Sequence, residues 1–403
     1  MKADDVERGF SMSEEDRQRR IVQVRNALGA QGSEMRHPKL RLTVPWESIE
    51  RDAQNQILRV LSVPELERLA IMPDVHPGHD LCIGGVALLR GLISPSFVGY
   101  DIGCGMCHVN LRENADSLGV DRPKDREKFF ARLQKAVPSG LGEGNGSVPV
   151  HFHSAGGEKT LDEKINRTAT RQLGSLGSGN HFLELGVNSG GDVGITIHSG
   201  SRRAGYDIAD WYIRKAKSSF IELHSELGQA YVQDMIWATE FALANRRMML
   251  KAALALLGFD DAETAAYLCS MINQHHNHAV LQENALVLHR KGATPAEQGQ
   301  IGIIPANQRD GVWVTKGLGN EEFLCSASHG AGRTMTRGAA AQKGSVERMQ
   351  KMMKGIVCRT DKGVLDEAPW AYKKIDAVLA AQAGILIDIL DHFTPSIVLK
   401  GGG

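Results

Sequence analysis

Six short segments of the sequence place metal-binding or phosphate-binding side chains beside glycine or another polar residue. In chain order they are Pro73–Gly78, Gly99–Gly105, Gly177–His181, His198–Arg202, His275–Asn277 and Ser328–Arg333. Glycine at such positions lets the backbone approach a ligand or adopt a positive φ. Together the segments supply carboxylates, one thiol and several imidazoles, a mixture that binds divalent transition metals, and more than four ligands indicate two ions. Thiolate and imidazole favour zinc, whereas a carboxylate and open positions favour manganese, and the spacing alone does not distinguish them.

Two of these segments, His198–Arg202 and Ser328–Arg333, also have the composition of a phosphate-binding site. Each combines an imidazole, small residues and a guanidinium, so that backbone N–H groups and a bidentate arginine can hold a phosphate. A neutral histidine can attack phosphorus at pH 7, and either His198 or His329 could be that nucleophile. The alternative interpretation of the two arginines is a surface salt bridge. The sequence contains neither a GxxxxGK[ST] loop nor a Lys-x-Asp-Gly stretch, so a nucleotide must be held in another way.

The composition limits the classes of protein. The 47 basic and 47 acidic residues give a formal net charge of +0, which argues against a protein that mainly coats nucleic acid. A local basic groove stays possible, with Arg202–Arg203, Arg246–Arg247 and a basic group within 348–362 as candidates, although each could equally be a solvated helix face. No apolar run approaches the roughly 20 residues of a membrane span, and residues 1–20 are charged where a signal peptide is apolar. We therefore expect a cytoplasmic protein with no membrane partner.

The hydrophobic pattern predicts irregularly interleaved helices and strands, which favours an α+β fold over a doubly wound sheet. Helices are predicted at 55–61, 64–68, 344–354 and 371–392, with two or three more within 204–257. Strands are predicted at 69–72, 86–89, 181–185, 194–198, 285–289, 302–304 and 311–316. Residues 138–157 are rich in glycine and serine and are predicted to form a mobile surface loop. Residues 1–36, with a helix near 14–28, are expected to be peripheral to a single domain at 37–403.

In this order the six segments resemble the RtcB family of RNA ligases. The matching motifs are MPDVHPG, GYDIGCGM, LGSGNHF, HSGSR, HHN and SHGAGR, followed by AYK, and the similarity extends from about Leu40 to Lys400. Members of the family join a 3′-phosphate or 2′,3′-cyclic phosphate RNA end to a 5′-hydroxyl end, using GTP and manganese. The resemblance implies an RtcB-like α+β fold of packed β-sheets, with surrounding helices and a central metal cleft. It also implies two Mn²⁺ ions, GTP and RNA ends as ligands, an archease-like activator as a possible partner, and a role in tRNA splicing or RNA repair.

Carried over motif by motif, the resemblance implies the residues of the site. The ligands of the two manganese ions would be Asp101, Cys104, His181, His198 and His276, with Cys104 bridging the ions. The guanylate would contact Asn180, Glu184, Asn277, His329, Gly330, Ala331, Gly332, Arg333, Tyr372 and Lys400, with Glu184 and Lys400 at the base. His329 would be the guanylylated nucleophile, and Asp74 would support the site. The arginines that would bind phosphates are Arg202 and Arg333.

Residues 305–312 depart from the family pattern. Many members carry Pro-Gly-Ser-Met-Gly in a loop that helps to hold the nucleotide, whereas this chain has Pro-Ala-Asn-Gln-Arg-Asp-Gly-Val. The departure leaves the metal ligands unchanged but bears on guanine selectivity. It motivates an alternative function, a metal-dependent phosphodiesterase or phosphatase on RNA 3′ ends without nucleotide-dependent ligation. A non-catalytic protein that binds RNA ends or metal is a further alternative, but such a protein would not need a nucleophile, its arginine and a full ligand set. Lys400 is followed by three glycines, which predicts a loose tail.

Overall fold

The computed structural model describes residues 37–140, 144, 148–216 and 218–401. The helix expected near 14–28 and the peripheral segment at 1–36 therefore lie outside the described residues. The strands are β1 Leu40–Leu42, β2 Leu66–His76, β3 Ile83–Arg90, β4 Leu92–Ile93, β5 Gly105–Asn114, β6 Phe182–Val187, β7 Asp192–Ser199, β8 Ile221–Glu222, β9 Ile272–His275, β10 Asn277–Leu281, β11 Leu286–Lys291, β12 Ala293–Pro295, β13 Ile301–Pro305, β14 Val312–Gly317, β15 Ser326–Ser328, β16 Val357–Cys358 and β17 Ile387–Lys400.

The helices lie between and around these strands. The α-helices are α1 Arg51–Leu61, α2 Pro95–Val98, α3 Pro123–Ala136, α4 Lys159–Gln172, α5 Arg202–Lys215, α6 Glu226–Leu257, α7 Asp261–Ser270, α8 Arg337–Lys343, α9 Val346–Met352 and α10 Ile375–Ala380. Short 3₁₀ helices occupy Trp46–Ser48, Glu321–Phe323, Lys362–Glu367 and Pro369–Ala371. The mixture confirms the expected α+β class.

Two large sheets form the framework of the described residues, besides the two-stranded pairs β4–β8 and β12–β15. A five-stranded sheet has the order β1-β2-β3-β11-β10, and an eight-stranded sheet has the order β13-β14-β17-β6-β7-β5-β9, with β16 beside β17. Apart from the parallel pairs β1–β2 and β16–β17, neighbouring strands run antiparallel. In an antiparallel sheet the start of one strand lies beside the end of its neighbours. The start of β5 therefore lies next to the ends of β7 and β9, as the pairs of Gly105 with Ser199 and with His275 show.

The long helix α6 packs against the eight-stranded sheet, mainly on β7. Ser225 begins the helix by accepting a hydrogen bond from the N–H of Gly228, and Gly258 ends it at φ +99°, where glycine avoids the steric cost of a side chain. Met249, Leu250, Ala253 and Leu254 of α6 form one apolar cluster with Ile195 and Ile197 of β7 and other buried residues. The prediction of two or three helices within 204–257 is confirmed, because α5 and α6 occupy most of this stretch.

Several local predictions are wrong. Residues 64–68 belong largely to β2, because Leu66 is buried and pairs with Leu89 of β3. Only Ile375–Ala380 of the helix predicted at 371–392 is α-helical, since Gly384 adopts φ +73° and the chain then enters β17. Lys400 does not lie on a loose tail, because it ends β17 opposite Phe182 and is 4% exposed.

The glycine-rich segment at 138–157 is anchored where the structure describes it. Ser154 and Ala155 donate hydrogen bonds to the buried carboxylate of Asp234 on α6, and Phe152 packs its ring against Trp237. Residues 141–143 and 145–147 of the predicted mobile loop lie outside the described residues. Among the described residues, no helix has the length and apolarity that crossing a bilayer requires.

Candidate active site

Donor atoms from five sequence-predicted metal ligands converge where the two sheets meet. The Cys104 Sγ atom lies 3.4 Å from His181 Nε2 and 3.3 Å from His198 Nε2. The His181 Nε2 atom is also 3.1 Å from Asp101 Oδ2, and the Nε2 atoms of His198 and His276 are 3.3 Å apart. Three of the donors, Cys104, His181 and His198, form a group with the spacing of a metal site.

The local fold explains why these side chains meet. Cys104 immediately precedes β5, His181 precedes β6, His198 lies near the end of β7, and His276 links β9 to β10. These four positions lie at one end of the eight-stranded sheet. Asp101 is placed on the turn before Cys104, where the Cys104 N–H donates to the Asp101 carbonyl. The ligands are therefore brought together by strand register rather than by proximity in the sequence.

The protonation of the donors fits a cation. His181 Nδ1 and His198 Nδ1 lie 3.0 and 3.2 Å from the carbonyl oxygens of Leu176 and Asn180, so each Nδ1–H donates there and Nε2 keeps its lone pair. Burial lowers the pKa of His198 and His276 well below the usual range, which leaves both imidazoles neutral. Burial raises the pKa of the Cys104 thiol well above its ordinary value, so a thiolate here requires a cation beside it. Lone pairs that face one another at this distance are stabilised by a metal ion between them.

A fully buried arginine supports this metal end of the sheet. Nη1 of Arg246, on α6, donates to the carbonyl oxygens of Gly103 and Ser199 at 3.1 and 2.5 Å. Its Nε donates to Asn273 Oδ1, and the side chain is 0% exposed. The suggestion that Arg246 lines an RNA groove is therefore wrong. The guanidinium instead fixes the backbone next to Cys104 and His198.

His329 lies beside the candidate metal ligands and is held by Asp74. Its Nδ1 atom is 2.6 Å from Asp74 Oδ2, and its backbone N–H donates to the same oxygen at 3.2 Å. Asp74 is 0% exposed, and its Oδ1 has no hydrogen-bond partner among the described residues. The ring of His329 packs edge-on against His276 with centroids 4.8 Å apart. Because Nδ1–H donates to Asp74, Nε2 is the nitrogen with a free lone pair.

A cavity of about 480 Å³ adjoins these residues. Residues implied for nucleotide binding make up much of its wall, namely Asn180, Glu184, His329, Gly330, Ala331, Gly332, Arg333, Tyr372 and Lys400. Pro305 to Gln308, from the segment 305–312 that departs from the family pattern, also line the cavity. His198 lies in the wall too, so the cavity borders the candidate metal ligands. The wall is close-packed at Gly332, which has φ +75° and where a Cβ would lie 2.2 Å from the Asp74 carbonyl oxygen. Only glycine fits there.

The far end of the cavity contains an acid that the sequence did not single out. Glu367 is 2% exposed and forms ion pairs with Arg333 at 3.0 Å and Arg337 at 3.2 Å. The hydroxyl of Tyr372 donates to the same carboxylate, and Lys400 Nζ lies 4.0 Å from it. Glu367 therefore positions the cations that line the cavity. A lone glutamate in a short 3₁₀ helix carries no motif by which it could have been found.

Glu184 is the second buried acid of the cavity. It lies on β6 with 2% exposure, and its Oε1 has no hydrogen-bond partner among the described residues. Burial raises the pKa of Glu184 to about 8, against the opposing effect of Lys400. An unpaired buried carboxyl at a cavity wall is suited to a polar ligand edge.

Arg202 and Asn277 lie outside the wall of this cavity. Arg202 begins α5 at φ +59°, and its guanidinium donates to Ser175 Oγ and the Gly140 carbonyl. A Cβ added at Gly177 would lie 1.9 Å from Arg202 Nη1 and 2.8 Å from His181 Nδ1. The Arg202 guanidinium is therefore near His181, one of the five donors. Asn277 donates to the Asp101 carbonyl and accepts from the Gly292 N–H. Both residues thus contact the metal-ligand loops.

Comparisons with known proteins find relatives that all carry one family name. The family model described as tRNA-splicing ligase RtcB matches residues 56–156 and 151–401. The RNA-splicing ligase RtcB of Escherichia coli K12 is 33% identical over 392 residues, covering 88% of this chain and 95% of that protein. The tRNA-splicing ligase RtcB of Thermococcus kodakarensis is 30% identical over 484 residues, covering 95% and 98%. The RNA-splicing ligase RtcB of Mycobacterium tuberculosis is 29% identical over 426 residues, covering 82% and 96%.

Proposed function

The chain belongs to the RtcB family and is an RNA ligase, and on this premise we propose that it joins a 3′-phosphate or 2′,3′-cyclic phosphate end to a 5′-hydroxyl end, using GTP and manganese. The observation that best supports the proposal is the position of His329. Its Nδ1–H donates a hydrogen bond to Asp74. Its ring lines the cavity and contacts His276, a proposed metal ligand. The nitrogen that we propose as the nucleophile thus lies between the cavity and the donors that we propose for the cations.

In the first nucleotide step, His329 Nε2 attacks the α-phosphorus of GTP. An N–P bond forms, the bond from the α-phosphorus to the bridging oxygen breaks, and pyrophosphate leaves with the electron pair. Nε2 carries no proton in this tautomer, so no base is needed for the attack. Asp74 accepts the Nδ1–H bond throughout and offsets the positive charge that develops on the ring.

The remaining steps transfer the guanylate and join the ends. Water first opens any cyclic phosphate to a 3′-phosphate. An oxygen of that 3′-phosphate attacks the histidine-bound phosphorus, the N–P bond breaks, and the electron pair returns to Nε2. The product is RNA(3′)pp(5′)G. The 5′-hydroxyl oxygen then attacks the 3′-phosphorus and its proton passes to solvent, while the diphosphate P–O bond breaks and GMP leaves with the electron pair.

We propose that Asp101, Cys104, His181, His198 and His276 would hold two manganese ions. Ions bound there supply positive charge to phosphoryl oxygens. The carboxylate of Asp101 suits manganese, whereas the thiolate and the imidazoles also suit zinc. Arg202, next to the His181 side of this cluster, and Arg333, in the cavity wall, are the proposed phosphate-binding cations.

We further propose that Glu184 and Lys400 contact the guanine base, with Glu184 accepting hydrogen bonds from its N1–H and N2–H groups and Lys400 donating to its O6. Asn180, Tyr372 and the Gly330–Gly332 backbone would contact the rest of the guanylate, with Asn277 acting from the metal-ligand loop. The single catalytic domain at 37–403, the peripheral segment at 1–36, the cytoplasmic location and the archease-like activator stay predictions.

The test is labelling with [α-³²P]GTP and manganese, followed by a denaturing gel. We expect an acid-labile label on the wild-type protein and none on His329→Ala. His224→Ala is the matched control, because His224 is exposed on the surface, and it should label normally. Absence of label on the wild type with both GTP and ATP would contradict the proposal. Processing of 3′ ends without GTP would then favour the phosphodiesterase or phosphatase alternative.

A further inference from the structure

An exposed column of aromatic and cationic side chains stands beside the metal ligands. The rings of Tyr100 and Tyr206 are stacked, with centroids 4.8 Å apart and planes inclined by 21°. The guanidinium carbon of Arg203 lies 4.6 Å from the centroid of the Tyr206 ring. The His79 ring contacts the edge of Tyr100 at 5.7 Å. We call Arg203, Tyr206 and Tyr100 the stacking column.

Tyr100 is half-buried and packs against the core, whereas the other two members of the column face solvent. Tyr206 is 40% exposed, and the Arg203 side chain is 50% exposed. Arg203 and Tyr206 are three residues apart on α5, so they share one face of the helix. Asp207 holds the Arg203 Nε at 2.8 Å, which keeps the guanidinium over the ring. An ordered, solvent-facing stack of this kind is not required by the packing of α5, whose buried face includes Ala204, Ile208 and Tyr212.

The position of the column links it to the active site. Tyr100 immediately precedes the metal ligand Asp101, and Arg203 follows Arg202 at the His181 side of the donors. At the other end, His79 lies shortly after His76 and Pro77, which line the cavity. The stacking column is thus built on the two chain segments that carry Asp101 and Arg202, next to these residues in the sequence.

We propose that the stacking column binds an unpaired base of the RNA strand whose end enters the active site. The identity of this strand rests on the proposed function. Tyr100 and the Arg203 guanidinium cover the Tyr206 ring within the column, so the base stacks on the outer plane of the guanidinium, which also supplies a charge for the adjoining phosphate. Such a contact is apt in a chain whose formal net charge is +0, because a general basic surface cannot supply the affinity. The protein should therefore bind single-stranded ends better than blunt duplex ends.

The experiment uses single-stranded RNA with a 3′-phosphate and 2-aminopurine at one of the last four nucleotides, without GTP. Binding is followed by fluorescence anisotropy of a distant dye, and stacking by the quenching of 2-aminopurine. We expect quenching at one position in the wild type. Tyr206→Ala and Tyr206→Leu should abolish it and weaken binding roughly tenfold, the effect of about 1.4 kcal/mol, whereas Tyr206→Phe should retain both. Arg203→Lys keeps the charge, so it should retain the salt dependence of binding and lose part of the quenching.

Ile236→Ala is the matched control, because Ile236 is a 48%-exposed side chain on α6, and thermal unfolding of every variant verifies folding. Quenching that is equal in Tyr206→Leu and the wild type would overturn the proposal, as would equal affinity for blunt duplex and single-stranded ends. The assay contains no GTP, so its outcome is separable from that of guanylylation. A wild type that labels with GTP but shows no quenching refutes the stacking column alone, and the reverse result refutes the ligation chemistry alone.

Discussion

The Nδ1 atom of His329 lies 2.6 Å from the Oδ2 atom of Asp74, a carboxylate with no exposure to solvent. The two residues are 255 positions apart and come from strand β2 and the loop after β15. The same oxygen accepts the His329 backbone N–H, so ring and main chain are fixed together. This double contact sets the tautomer of the proposed nucleophile.

Asp74→Asn should therefore slow guanylylation of His329. The amide is similar in size but carries no charge to stabilise the ring as it becomes positive. We expect a loss of roughly 10- to 100-fold, the range for partners that orient a histidine. The measurement is the single-turnover rate of labelling at saturating GTP and manganese. Asp80→Asn alters an exposed acid six residues away and should label at the wild-type rate. An unchanged rate in Asp74→Asn would show that the contact has no part in the chemistry.

Arg246→Met should destabilise the protein. The substitution leaves the carbonyl oxygens of Gly103 and Ser199 without the donor that they share. Buried hydrogen-bond acceptors that are left without a donor cost roughly 1–3 kcal/mol. Arg247→Met, at the exposed neighbouring position of α6, should change stability by less than about 0.5 kcal/mol. Urea unfolding at neutral pH measures both, and equal stabilities of the two variants would contradict the assigned role of Arg246.

The contrast between these residues shows what the sequence could predict. Cys104, His181 and His198 stand in glycine-rich motifs, where their chemistry is visible without a fold. Arg246 looks like part of a solvated helix face, and only the packing of α6 over β5, β7 and β9 buries it. Glu367 has no motif at all, because its role comes from Arg333, Arg337 and Tyr372 converging on it.

The secondary structure follows the same division. The hydrophobic periodicity over the long helix α6 is a strong signal, and the sequence predicts helix in this stretch. Residues 387–400 are apolar enough for either a helix or a strand. They form a strand because they pair with β14 on one side and with β6 on the other. Non-local pairing of this kind is not encoded in a short window of sequence.

Manganese should stabilise the metal-free protein against heat through the five donors. A ligand that binds only the native state raises the free energy of unfolding by RT ln(1 + [L]/Kd), about 2.7 kcal/mol at 100 times Kd. We expect the melting temperature to rise with manganese in the wild type and to rise much less in Cys104→Ala. Cys269→Ala removes an exposed thiol on α7 and should respond as the wild type does. Equal responses of the two cysteine variants would exclude Cys104 as a ligand. Parallel titrations with zinc compare the two metals directly.

Glu184→Gln should change how stability depends on pH. Burial raises the pKa of Glu184 from 4.5 to about 8, so between these values the native protein keeps a proton that the unfolded chain releases. The free energy of unfolding should therefore fall as pH rises from about 5 to 8. Glutamine does not titrate, so the free energy of unfolding of the variant should not fall in this way. The difference in stability between the variant and the wild type should therefore shift in favour of the variant as pH rises from about 5 to 8. Glu222→Gln, at an exposed position of β8, should follow the wild type. Urea unfolding at intervals from pH 5 to 8.5 measures the difference, and parallel curves for Glu184→Gln and the wild type would mean that Glu184 is ionised in the native protein.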